Sequence, residues 1–264
     1  MATSTRPASR PEPPEEFNPA EKYMTLLEHI GELRVRLMIC AGVMVIATAV
    51  SFYFAKDIMS YLLTPAEDAQ PGFKPIQTEP LEFISSYFKI SLLSALAISM
   101  PVLIYQLIAF VAPGLTPEEK RWIIPIVLGS GLSFVAGLAF GFYVALPPAI
   151  DFLMNFGEDV ADPTLRIGPY IDFVLRMLLI SGITFQTPLL IMGLAKVRIV
   201  RGPWLIRQWR YVVVGAFILS AIVTPTIDPI TQTLIAAPII VLYGVGTGLA
   251  FLVQPGGDQP VRFS

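Results

Sequence analysis

Two clusters of charged side chains could do chemistry in this chain. The first is Glu28, Glu32 and Arg36, whose four-residue spacing puts them on one side of a helix. The other side of that segment is apolar: Tyr23, Leu26, Leu27, Ile30, Leu33 and Leu37. An amphipathic helix of this kind lies on a membrane surface. The second cluster is Glu118, Glu119, Lys120 and Arg121. The topology brings both sets of carboxylates to one membrane surface, where water is scarce and charge pairs are stronger. Within its own helix, Glu32 also has a simpler partner in Arg36. Catalysis is poorly served, because His29 and Cys40 are the sole histidine and cysteine. No disulfide, multi-histidine metal site or haem pair can be built from them, and no glycine-rich phosphate loop is present. The expectation is no metal, no cofactor and no enzyme.

The elements that must position these groups are written in the hydropathy. Hydrophobic residues make up 54% of the 264 and charged ones only 14%, well below the roughly 25% charged of ordinary globular domains. Six windows are nearly free of charge, and a bilayer core about 30 Å thick needs roughly 20 such residues in a helix. The expected fold is all-α: a polytopic membrane protein with spans at about 37–55, 90–111, 123–146, 173–195, 211–225 and 230–253. Residues 1–20 read as a disordered tail, 21–253 as the membrane domain and 254–264 as a second tail. In the fifth window only Tyr211–Val223 is free of charge, so that helix is expected to be short. Pro101, Pro125, Pro188 and Pro238 fall in other windows and are expected to kink them into a curved, partly open bundle.

Charge placement orients the bundle. With six spans both termini share a side, and the segments on it carry thirteen Lys and Arg: positions 6, 10, 22, 34, 36, 120, 121, 196, 198, 201, 207, 210 and 262. The other side has five, Lys56, Lys74, Lys89, Arg166 and Arg176. The positive-inside rule therefore puts both termini in the cytoplasm. Polar groups inside spans are costly and mark candidate sites; here they are Gln106, Gln186 and Gln232. Asp172 and Arg176 are spaced as a helix-surface ion pair.

Four ordered blocks carry a resemblance. His29-Ile-Gly-Glu32-Leu33-Arg34-Val-Arg36-Leu37 resembles the HLxELRxR opening of the TatC family, the six-span core of the twin-arginine protein translocase. Tyr105 to Leu115 with Glu119-Lys-Arg121, Phe185-Gln186-Thr-Pro188, and Thr224-Pro225-Thr-Ile-Asp228-Pro229-Ile-Thr-Gln232 are similar to later blocks of that family. The resemblance covers roughly residues 21–253. It implies a curved, glove-like bundle in a bacterial cytoplasmic (inner) membrane, acting as receptor and scaffold without a bound cofactor. The implied signal-peptide site is Glu32, Leu33, Arg34, Phe110 and Glu119. The implied partner contacts are Gln186, Thr224 and Gln232, and Pro65 belongs to an assembly region in the first outer loop. The implied partners are single-span TatA and TatB subunits, Arg-Arg signal peptides of folded precursors, other copies of the family protein and membrane lipids, but no nucleic acid. Transport would draw on the proton-motive force. Many members have a glutamate where Gln186 stands, so a mechanism needing ionisation there is not available to this chain. The alternative reading is a secondary transporter for a small solute or ion, which calls for a midplane cavity and related halves; the two halves share no motif.

Overall fold

The computed structural model describes residues 19–69, 75–111, 120–155, 166–196, 199–223 and 229–254. Nearly all of both expected tails lies outside them. Ten elements follow in order: α1 (Pro19–Tyr53), α2 (Ala55–Ala69), α3 (Glu82–Val111), α4 (Ile123–Phe140), a π-helical turn (Gly141–Ala145), α5 (Leu146–Asn155), α6 (Ile167–Phe185), α7 (Thr187–Lys196), α8 (Gly202–Val223) and α9 (Pro229–Val253). Among the described residues the extended backbone amounts to one isolated bridge, Ile76 to Arg166.

Six helical stretches are long and apolar enough to cross a bilayer: Glu28–Tyr53, Glu82–Phe110, Ile123–Met154, Ile167–Lys196, Gly202–Ile222 and Gln232–Val253. The third combines α4, the π turn and α5, and the fourth combines α6 and α7. Their outer faces are greasy. Ile124, Leu128 and Leu132, one helical turn apart on α4, are 66–75% exposed. Water would penalise such a stripe, whereas lipid does not.

Between apolar spans the hydrophobic effect does little, so close backbone approach must supply the contact. Spans three and four show how. Gly137 and Gly141 on span three form a GxxxG pair against Ser181 and Gly182, and the Phe134 ring packs against Gly182. Phe134 is fully buried there. Elsewhere α1 packs along α3, and α9 packs on both α7 and α8.

The end of the bundle remote from Glu28–Arg36 is capped. Met59, Leu62 and Ala66 of α2 bury against Leu146, Ala149 and Ile150 and against Tyr170, Ile171 and Val174 of α6. Tyr170 donates to the Leu62 carbonyl at 2.8 Å. Glu82, only 6% exposed, fastens the connecting turn: its carboxylate accepts the N–H groups of Thr78 (3.0 Å), Glu79 (3.3 Å) and Gly168 (2.8 Å). Three backbone donors in one carboxylate make a strong charge-assisted anchor. A Cβ on Gly168 would sit 2.7 Å from that carboxylate.

Three sequence expectations change. The fifth helix is 22 residues long, because it starts at Gly202 and carries Arg207 and Arg210 ahead of the charge-free stretch that begins at Tyr211. Only Pro188 sits at a break, between α6 and α7; Pro101 and Pro238 lie inside continuous helices, and Pro125 falls in the first turn of α4, where its missing N–H costs nothing. Asp172 pairs not with Arg176 but with Lys89 of α3, at 2.6 Å. A tertiary partner has displaced the local one.

Candidate functional site

Alternation of the spans brings the start of α1, the end of α3, the start of α4 and the end of α7 to one end of the bundle, called here the near face. α1 runs without interruption from Pro19 through span one to Tyr53. Glu32 and Arg36 therefore stand one turn apart, as their spacing demands. Arg36 donates from Nε to Glu32 Oε1 at 3.0 Å and from Nη2 to the same oxygen. Its remaining Nη1 reaches Gln106 Oε1 on α3 at 3.2 Å. Gln106 thus serves as a bond between helices.

That arrangement uses one oxygen of Glu32. Oε2 faces His29 Nδ1 at 3.9 Å, beyond hydrogen-bonding distance, and the side chain is 34% exposed. His29 in turn stacks on Phe110, with ring centroids 4.2 Å apart and planes inclined by 21°. Glu32, Arg36, Gln106, His29 and Phe110 form one cluster joining spans one and two. Leu33 is 47% exposed and Arg34 points outward beside it. Glu119 lies outside the described residues, between Val111 and Lys120.

The polar groups of span four sit deeper. Pro188 has no N–H to return to Thr184, and the helix breaks at Gln186, whose N–H instead bonds the Ile183 carbonyl at 3.0 Å. The Gln186 side chain is 3% exposed, and its Nε2 donates to the Ser130 carbonyl of α4 at 2.8 Å. Ser133 completes the patch by donating to the Phe185 carbonyl at 2.6 Å. From Gln186 a narrow groove of about 190 Å³ runs toward the near face between α3, α4 and α7. Apolar side chains line almost all of it, and Lys196 and Trp122 stand at its mouth. The Lys196 ammonium lies 5.4 Å from the centre of the Trp122 ring.

Gln232 ties the last two spans together. It donates from Nε2 to the Phe217 carbonyl at 3.0 Å, and its own carbonyl accepts from Ser220 at 2.6 Å. A wider apolar recess of about 910 Å³ opens beside Thr233, between α9 and the Phe140–Phe185 region. Thr224 lies outside the described residues. Pro65 is half-buried within α2, in the cap, next to buried Ala66. No group of three or more potential metal ligands occurs among the described residues.

A sequence model of the family described as "Sec-independent protein translocase protein (TatC)" matches residues 28–238. The chain belongs to the TatC family. The chloroplast TATC protein of Arabidopsis thaliana is 40% identical over 93% of this chain and 71% of its own length. The TatC protein of a Synechocystis strain is 36% identical over 89% and 91%. A crystal structure described as the twin-arginine translocase receptor TatC superposes with a TM-score of 0.75 at 35% identity, covering 85% of this chain and 99% of the other. The all-α six-span reading and the family resemblance hold together. This TatC chain is a membrane protein of the Sec-independent translocase, and its family is one of protein transport.

Two features of the TatC chain escaped the motifs. Glu82 has no periodic signal, since its three backbone partners come from a turn and from the start of span four. The Gly137–Gly141 pair did carry a readable signal, a GxxxG inside an apolar stretch.

Proposed function

We propose that this chain is the receptor and scaffold subunit of a twin-arginine translocase, set in a bacterial cytoplasmic membrane with both termini in the cytoplasm. It binds the adjacent arginines of a precursor's signal peptide at the near face. TatA- and TatB-type single-span subunits gather on it for export driven by the proton-motive force. It works by binding and carries no catalytic chemistry.

The observation that carries this reading is the half-used carboxylate of Glu32. Arg36, itself held by Gln106, locks its orientation through Oε1, while Oε2 lies beside His29 of the His29–Phe110 stack without a hydrogen bond to it. A guanidinium can bond that oxygen and lay its flat face on the neighbouring rings. Glu119 supplies the carboxylate for the second arginine, with Leu33 and Arg34 flanking the peptide. The α8–α9 corner, with Thr224 and Gln232, receives partner helices. The apolar recess beside Thr233 opens next to that corner and can take the apolar face of a partner helix. Gln186 is a further contact for a partner subunit. Pro65, in the cap, serves contact between copies of the chain.

The test is fluorescence anisotropy of a labelled Arg-Arg signal peptide against the full chain in nanodiscs. One charge-assisted bond is worth about 1.5–3 kcal/mol. The exposure of Glu32 brings that to the low end, so Glu32→Gln should weaken binding about tenfold. Unchanged affinity in a Glu32→Gln, Glu119→Gln double variant would overturn the site.

A further inference from the structure

The groove between α3, α4 and α7 belongs to neither the peptide cluster nor the α8–α9 corner. We propose that it holds one acyl chain of an anionic phospholipid from the near-face leaflet, with the headgroup phosphate bound by Lys196. Three observations lead there.

The first is size. The groove measures about 190 Å³, the scale of a dry cavity of about 150 Å³ that accepts an apolar guest. The second is the lining. Ile104, Leu107, Ile126 and Leu190 present hydrocarbon along the groove's length, and the polar ends of Ser130 and Gln186 are already bonded to each other at its floor. Nothing along the wall asks for a polar guest. The third is charge. Among the described residues, Lys196 is the one charged residue lining the groove, and it stands at the mouth over the Trp122 ring. Lys120 and Arg121 precede Trp122 in sequence and are exposed. Aromatic rings and lysines at this depth mark the headgroup level, and basic clusters there select anionic lipids. Gln186 lies ten residues before Lys196, about 15 Å along a helix, which is the reach of a lipid chain descending from the headgroup.

The inference requires the six-span topology and not the receptor reading, and its test uses no signal peptide. The purified full chain is incubated in detergent with equal amounts of phosphatidylglycerol and phosphatidylcholine of the same chain length, and retained lipid is read by native mass spectrometry. The wild type should keep one phosphatidylglycerol per chain in preference to phosphatidylcholine. Lys196→Gln should cut phosphatidylglycerol retention about fivefold, the effect of one cation at an anionic surface, and leave phosphatidylcholine as it was. Gly193→Phe should abolish retention of both lipids, because a side chain at Gly193 meets open space in the groove and fills it. Gly193→Leu provides a second filling variant, and elution as a monodisperse peak in lipid-free detergent checks the fold of each. Equal retention of the two lipids by the wild type would overturn the proposal. So would unchanged phosphatidylglycerol retention in both Lys196→Gln and the folded groove-filling variants.

Discussion

Replacing Gly137 by alanine tests whether the contact between spans three and four is as tight as it looks. The new methyl carbon would lie 2.7 Å from the Ser181 carbonyl oxygen, 2.8 Å from Gly182 Cα and 2.9 Å from Phe185 Cβ. Ordinary contact begins near 3.4 Å, so the helices must part by about 0.7 Å. Two of the three obstacles are backbone atoms, which have no rotamer to retreat into. Overpacking costs typically 1–3 kcal/mol, and a backbone clash belongs at the upper end, near 3 kcal/mol. For a chain of this size each kcal/mol moves the midpoint by about 2–4 °C, which gives a fall of roughly 6–12 °C. Gly244→Ala is the control. Gly244 is an exposed position inside span six where an added Cβ meets nothing within 4 Å. There alanine should gain up to about 1 kcal/mol by restricting the unfolded chain. The assay heats the detergent-solubilised protein and follows the fraction that still elutes as a monodisperse peak. Wild-type stability in Gly137→Ala would refute the claim that the glycine seam holds these spans together.

Three further outcomes follow from the structure. Glu82→Ala should loosen the turn at residues 75–81, so that limited proteolysis cleaves there in the variant while the wild type resists, because three backbone N–H groups lose one shared acceptor. Gln186→Leu removes the buried bond to the Ser130 carbonyl, worth about 1 kcal/mol, and should weaken co-purification of single-span partners; Gln186→Glu, which can make the same bond when protonated, should be tolerated. A double-mutant cycle on Lys89 and Asp172, both nearly half-exposed, should give a coupling below about 1 kcal/mol that fades with salt.

What the sequence reveals here follows from how severe each physical constraint is. Lipid tolerates no unpaired backbone and no stray charge, so six apolar windows had to become six helices. The Glu32–Arg36 pair was legible because a spacing of four admits one geometry on a helix. Gln106 was legible as a polar group needing a neighbour, but its neighbour, seventy residues away, was not. The same local rule misled at Asp172, where Arg176 lay at the right spacing and Lys89 won through tertiary packing. The fifth helix was underestimated because Arg207 and Arg210 end an apolar window without ending a helix. Glu82 stayed hidden because its partners are backbone groups brought together only by the folded cap.

The break at Gln186 divides the labour of span four. Its upper half is clamped to span three by glycines, whereas Ile191 and Ala195 of its lower half bury with Leu205 and Ala250 of the last two spans. A single transmembrane crossing thus belongs to two mechanical units with one peptide joint between them. The joint can flex while the cap over the opposite end keeps its shape, much as a wrist bends without disturbing the forearm.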